Sequence, residues 1–570
     1  MVRRRPHRCS PSAVSSLTAV AASIALVVIP SSATAGTEVF ASRRVRVVAD
    51  QDNQAPREGF ITLKVRAENL TSQPQVVHLS FESQPWSVVE AEVKLAAEER
   101  RTVPLLLPAS TRYGSLGVTD GHEDVRREGF NWHWQSHDPI LVERPSEGLS
   151  GPIIRFANEG GEVEDTNPTV AVTRAELPDT LPPLVGYAAV GLLATPFEEL
   201  PEPQRRALEA YAATGGALFL AHAPTRLDDT LPLLRDGRGE GAHAYGLGTV
   251  HLCGAAPRCI EALATVGDLK RAAFLPTLAM IGSYRYGQAD HAGEPLIDVA
   301  RVPVGGFLLL VLAFVLVLGP GSFMVRARKG PHALLLFIPL TAMATCGGIA
   351  GYGVMHEGLF TLHATSRTVT FLDSVHHRAA TQSVDGYYAT MAPSEVRYGA
   401  LAAVIFPQNL VDSASGMRID ESNGMVFKSG FISSRSYREH LSVAVAPSRA
   451  RLTVRATPQG SVTIENALGA KILTGVVRVG GRSCLMKEIR DGAKGDAICS
   501  EGAPSEDVLG EFRSGVGARF VPAALEHNAL APLEEGEFLV GLDEAVFAPD
   551  GGLRLTRKGD YQLARGKVSP

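Results

Sequence analysis

The chain has 570 residues, 45% of them hydrophobic and 20% charged, with a formal net charge of -5. That length allows three to four domains, and charges spread evenly with no basic stripe argue against nucleic acid as a partner. Six cysteines, none in Cys-x-x-Cys spacing, argue against a zinc or redox cysteine centre.

Arg3, Arg4, Arg5 and Arg8 make a basic start, and Ala13 to Ile29 is mostly apolar and small. Ala33-Thr34-Ala35 then precedes Gly36, shortly after Pro30. This is the layout of a secretory signal peptide over residues 1–35, cleaved between Ala35 and Gly36, with an uncleaved anchor as the alternative. Either way the chain after Gly36 is exported. Cys9 lies ahead of the apolar stretch and is not placed for lipid attachment.

Residues 36–148 read as short strands separated by turn signals. Phe60 to Asn69 alternates apolar and polar residues, as a half-buried strand does. Val76 to Phe81, Val88 to Val93 and Arg101 to Leu107 continue the series. The pattern predicts an antiparallel β-sandwich of immunoglobulin-like form. Near its end stand Trp132-His133-Trp134 and His137. The two histidines are a metal pair and the tryptophans a stacking platform on one reading. On the other, the stretch is a strand with both tryptophans on its buried face, since a histidine pair four apart ligates from a helix.

Residues 149–290 change character. Pro152 to Phe156 and Thr169 to Val172 are candidate strands, and Tyr187 to Leu193 is a continuous apolar strand of the kind covered on both faces. Pro203 to Ala213 reads as an amphipathic helix stopped by Gly215-Gly216, and a strand follows from Ala217. Strand, helix and strand make a βαβ unit. Tyr245 to Leu252 closes the region, with Gly246 and Gly248 at a hairpin turn.

The run Leu208-Glu209-Ala210-Tyr211-Ala212-Ala213-Thr214-Gly215-Gly216-Ala217-Leu218, between a strand and a Gly-x-Gly-x-Val strand, resembles the class I glutamine-amidotransferase-like domains of exported bacterial two-pass membrane proteins. In that family the domain precedes a membrane hairpin whose first helix ends near Gly-Pro, as Gly319-Pro320 does here. The resemblance covers roughly residues 40 to 360. It implies an α/β amidotransferase-like fold and a place in the bacterial envelope, and the family carries no established reaction.

Amidotransferase chemistry needs a cysteine on a strand-to-helix elbow with glycine neighbours, and a histidine base. The region holds no Gly-x-Cys-x-Gly. Its cysteines, Cys253 and Cys259, follow the late strand, and His222 and His251 have no nucleophile placed by motif. Cys253/Cys259 and Cys484/Cys499 are sequence-local pairs that an exported chain can close as disulfides.

Residues 302–354 hold two apolar runs of roughly 20 residues each, the length that crosses a bilayer core as a helix. The turn between them, 324–332, carries Arg326, Arg328 and Lys329 and no acid, which places it in the cytoplasm. Gly347 and Gly351 are expected to pack against Gly305, Gly306 and Ala313 of the first helix, with homodimerisation as the alternative use. Neither helix contains an ionisable side chain, so transport through this hairpin alone is not expected.

Residues 358–570 read as a β-rich extracytoplasmic domain. Leu452 to Arg455, Ser461 to Asn466 and Ile472 to Val479 alternate as a meander of sandwich type. His376-His377, read as strand neighbours, point to opposite faces and make a poor ligand pair. Glu501, Glu506 and Asp507 lack calcium-loop spacing. The sequence thus predicts a multidomain membrane protein of the bacterial inner membrane with most of its chain outside the cytoplasm. It is expected to have no cofactor, no metal and no catalytic site, and to bind or scaffold an envelope protein or glycan. An envelope hydrolase or amidotransferase-like enzyme is the alternative.

Overall fold

A computed structural model describes residues 36–569, apart from 52–55, 57, 85–86, 110, 123–124, 133–138, 144–168, 226, 235–238, 266–295, 298–303, 358–360, 407–415, 423, 457–461, 518–519, 521–524 and 527. The described chain is mostly β-sheet with few helices.

The first stretch contributes eight strands: β1 (Thr37–Ala41), β2 (Val45–Gln51), β3 (Phe60–Asn69), β4 (Gln75–Gln84), β5 (Ser87–Leu95), β6 (Arg100–Pro108), β7 (Tyr113–Thr119) and β8 (Arg126–Asn131). One sheet has the order β1-β2-β3-β6. Alternation in β3 buries Leu63 and Val65 and leaves Thr62, Lys64 and Arg66 on the other face. The second sheet has β5, β4, β7 and β8 as neighbours, and Val77, Leu79, Phe81 and Val89 from it share one core with the first. Trp132 belongs to that core, with its ring 5.7 Å from Phe81 and 6.2 Å from Phe130. His133, Trp134 and His137 lie outside the described residues.

This second sheet does not end with its local strands. Three more, β17 (Val396–Tyr398), β19 (Met417–Asp420) and β20 (Met425–Ser429), extend it to the order β17-β20-β19-β5-β4-β7-β8. β19 runs parallel to β5, from Met417 opposite Ser87 to Asp420 opposite Glu90. The hairpin lies between these partners in sequence, so the expected unit of residues 36–148 is completed by strands from beyond it.

Glu421 secures this junction. One carboxylate oxygen accepts the Leu106 N–H at 2.9 Å, and the other is buried with no partner among the described residues. Although the residue is only half-buried, its acid end is enclosed. Burial, opposed by the Leu106 N–H and reinforced by the charge of Asp420, pushes its pKa up to about 8. The folded state therefore binds this proton between pH 4.5 and 8 while the unfolded chain has released it. Stability falls as pH rises through that window. Glu421→Gln keeps an acceptor for Leu106 and removes the ionisation. We expect it to be more stable than the parent at pH 9 by on the order of 2 kcal/mol, and little changed at pH 4. Melting temperatures of the two proteins across this range check the expectation, and parallel profiles would refute it.

The next sheet has the order β10-β9-β11-β12-β14-β13, built from β9 (Ile140–Glu143), β10 (Thr169–Val172), β11 (Ala189–Leu192), β12 (Ala217–Leu220), β13 (Gly241–Tyr245) and β14 (Gly248–Leu252). Every pairing is parallel except β13 with β14. Ile140–Glu143, placed before residue 148 by the sequence reading, is thus a strand of this sheet. The candidate strand Pro152 to Phe156 lies outside the described residues. Strand residues alternate between two cores. Leu141, Val190, Leu192, Leu218 and Leu220 face helix α1 (Glu202–Ala213). Ile140, Val142, Ala189 and Phe219 face a helix over Ala256–Thr265.

Helix α1 stops where its glycines permit a sharp turn. Gly215 has φ 123°, and a Cβ on Gly216 would overlap the Tyr211 ring. The sequence reads α1 as amphipathic with one solvent face. The structure buries Gln204 and Glu209 as well as Leu208 and Tyr211, because a second β-sheet covers the outer face.

Two apolar helices follow, Val304–Lys329 and Leu334–Glu357, each with a proline inside it, Pro320 and Pro339, and joined through Gly330 and a short turn over Pro331–Ala333. Their spans Leu308–Lys329 and Pro331–Tyr352 are long and apolar enough to cross a membrane, and neither is buried within the protein. The expected close packing of Gly347 and Gly351 against Gly305 and Gly306 is not present. The helices instead meet with Tyr352 against Gly306 and Phe337 against Gly321, and a Cβ on Gly347, Gly348 or Gly351 meets nothing within 4 Å.

The last part forms one long sheet. Its strands are β15 (Leu362–Asp373), β16 (Arg378–Ala389), β18 (Ala402–Ile405), β21 (Ser436–Pro447), β22 (Arg451–Ala456), β23 (Val462–Ala467), β24 (Ile472–Val479), β25 (Arg482–Ile489), β26 (Lys494–Glu501), β27 (Glu537–Leu542), β28 (Thr556–Arg557) and β29 (Tyr561–Lys567). The order is β18-β21-β16-β15-β29-β27-β24-β25-β26-β23-β22, with β28 beside β15. The meander expected for Leu452 to Val479 is interrupted, since β23 pairs with β26 instead of β24. β29, near the end of the chain, joins the two halves by pairing parallel to β15 and antiparallel to β27.

Candidate functional site

In an open parallel sheet, ligands gather at the carboxyl ends of the strands. Here β9 ends in Glu143, which is 1% exposed. Its carboxylate accepts the Ala194 N–H at 2.9 Å, the Thr195 N–H at 3.2 Å and the Thr195 hydroxyl at 2.7 Å. Beside it, Glu198 accepts the Thr225 N–H and hydroxyl at 2.7 and 2.9 Å. Carboxylates thus hold the loops after β11 and β12 in place. His222 is exposed on the loop after β12. His251 lies on β14, stacked on Phe219 with ring centroids 4.0 Å apart. Burial, then the nearby His243, lowers its pKa to about 4, so it is neutral at pH 7. Cys253 is joined to Cys259, which pins the start of the following helix to the end of β14. Cys484 and Cys499 are joined across directly paired positions of β25 and β26.

The other candidates fall apart from this edge. His376 and His377 lie in the turn between β15 and β16, not on a strand. His376 Nδ1 contacts Asp373 at 2.9 Å, and His377 takes the left-handed turn conformation at φ 53°. Glu506 pairs with Arg513. Among the described residues no group of three His, Cys, Asp or Glu could hold a metal ion.

Three polar clusters escaped the sequence reading. The first joins the α/β unit to the long sheet. Arg378 on β16 holds Glu209 of α1 through two bonds of 2.7 and 2.6 Å and Asp373 through a third of 3.0 Å. The Tyr245 hydroxyl of β13 donates to the same Glu209. Burial pulls the Arg378 pKa down, but bonding to Glu209 and its charge more than reverse this, so the guanidinium is held charged. Gln382 adds a bond of 2.7 Å to the Thr214 carbonyl at the end of α1.

The second is buried within the long sheet. Asp385 accepts the Ser366 and Ser383 hydroxyls at 2.6 Å each and also that of Ser442, and burial raises its pKa. Arg557 reaches Ser366 at 2.7 Å.

The third is open. A cleft of about 820 Å³ lies between the polar face of the first sheet and the α/β unit. Asp50, Thr62, Lys64, Arg66 and Thr102 come from one wall, and Glu176, Asp179 and Gln204 from the other. Lys64 crosses it to Glu176 at 3.3 Å. Its size is that of sites that take small ligands. No pattern in sequence pointed to it, because its walls are half-buried polar faces of elements whose apolar faces gave the signal.

No family model matches the chain, and no curated protein matches it. Among solved structures, the yeast delta-COP-I mu-homology domain complexed with a Dsl1 WxWxV peptide matches at 10% identity, over 36% of this chain and 96% of that one, with a TM-score of 0.16. The same yeast domain alone matches at 9% identity over the same shares, again at 0.16. At such scores neither likeness carries an argument about fold or function.

Proposed function

We propose that this is a non-catalytic membrane protein of the bacterial cell envelope, anchored in the inner membrane by its hairpin with the bulk of the chain outside the cytoplasm. In this reading the α/β unit is a structural piece that presents a binding surface to an envelope protein or glycan. The observation that carries the proposal is the cleft, whose two walls come from different units and are bridged by the Lys64–Glu176 pair. The clamp of Glu209 by Arg378 supports it, since a unit fixed on its outer helix is suited to holding a surface in place. The Arg326, Arg328 and Lys329 turn supports the orientation.

The test compares two substitutions in the cell. Thr62→Trp fills the cleft without disturbing the buried face of β3, and is expected to reproduce the phenotype of a deletion while the protein remains folded and abundant. His222→Ala is expected to leave that phenotype unchanged. The reverse result, loss with His222→Ala and no effect of Thr62→Trp, would point to chemistry at the α/β edge and overturn the proposal.

A further inference from the structure

The start of β1 carries a feature that the fold does not explain. Thr37 pairs with Ala49 in antiparallel register, so Gly36 stands opposite Asp50. A Cβ on Gly36 would overlap Asp50 Oδ1 and crowd Val48, so a larger residue there would push the Asp50 side chain aside. Asp50 Oδ2 accepts the Arg66 guanidinium. Asp50 Oδ1, the atom against Gly36, is buried and has no hydrogen-bond partner among the described residues. A buried carboxylate oxygen without a partner is costly.

We propose that cleavage between Ala35 and Gly36 supplies that partner: the new α-ammonium of Gly36 pairs with Asp50 Oδ1. The proposal rests on the exported reading above. Hydrolysis of the Ala35–Gly36 amide adds one water, leaving a carboxylate on the leader and an amine on Gly36 that is protonated at neutral pH. That nitrogen is one bond of about 1.46 Å from the Cα packed on Asp50, which makes it a near neighbour of that carboxylate. Before cleavage the same nitrogen is a neutral amide, with one hydrogen to donate and no charge. β1 is the edge strand of its sheet, so an ion pair at its first residue pins the end most prone to fray. Asp50 and Gly36 both line the cleft, so processing also sets the charge of the cleft wall. Removal of the leader thus finishes the binding surface as well as releasing the chain.

The experiment uses the full protein purified from membranes. Amino-terminal sequencing is expected to begin at Gly36. The α-amine, labelled by reductive ¹³C-methylation, is then titrated by NMR in the parent and in Asp50→Asn. We expect the parent amine to titrate about one unit above the ordinary range of about 7.7–8.0. In Asp50→Asn it should fall to that range or below it, since Arg66 and Lys64 are then the nearest charges on that face. A first residue of Gly36 with the same titration in both proteins would overturn the ion pair and leave the exported reading standing. An intact leader, or a different first residue, would overturn the cleavage on which the pair depends.

Discussion

Replacing Arg378 by methionine is expected to lower stability by about 3 kcal/mol and to free the α/β unit from the long sheet. The side chain of Glu209 is 10% exposed and that of Asp373 5% exposed, and Arg378 serves both. Methionine fills much of the space but leaves two enclosed acids without their common cation. The Tyr245 hydroxyl still reaches Glu209, which limits the loss. Limited proteolysis at the seam and thermal unfolding measure the effect. Adding Glu209→Gln to Arg378→Met should recover part of it, because the uncompensated charge is then removed. If the single substitution melts with the parent and the seam stays protected, the clamp contributes nothing and α1 is held by packing alone.

Arg565→Met should be more severe, with a loss of roughly 3–5 kcal/mol. The Arg565 and Glu537 side chains are 1% and 0% exposed and lie 2.6 Å apart. The guanidinium also donates to the Ala529, Ala531 and Pro532 carbonyls at 3.1, 2.6 and 2.9 Å. Removing it leaves Glu537 buried without its cation and strips several carbonyls of their donor. The position magnifies the cost, because β29 is the strand that joins the two halves of the long sheet. We expect a low yield of folded protein and a broad, early melt, with Glu537→Gln milder because it keeps an acceptor. A variant that folds in normal yield with an unchanged melting temperature would show that the carbonyl cluster tolerates exposure to water.

Much of the fold was legible where a residue's neighbours in sequence are also its neighbours in space. The two hairpin helices follow from apolar runs without a charge, whatever surrounds them. α1 follows from its apolar spacing and the Gly215-Gly216 stop, and the strand at Ala217 from what comes after. β3 follows from alternation. The candidate site was far less legible. Nothing local in the sequence sets Glu209, Arg378 or Glu421 apart from the chain's other charged residues. Each is defined by a partner more than a hundred residues away, and a single sequence gives no signal for such a pair.

The sequence by itself therefore determined local elements: a pair of apolar helices long enough for a bilayer, and strands and helices set by period and by glycine and proline. It determined them because hydrophobic period, chain stiffness and turn chemistry act over a few residues. Only the tertiary structure decided that β17, β19 and β20 complete a sheet begun near the start of the chain, that β29 closes the last sheet, and that α1 is covered on both faces. Those outcomes depend on backbone hydrogen bonds and buried charges meeting across long loops. A free edge such as that of β5 can be satisfied by any strand of suitable length and polarity, and which one arrives is decided by the packing of the whole chain.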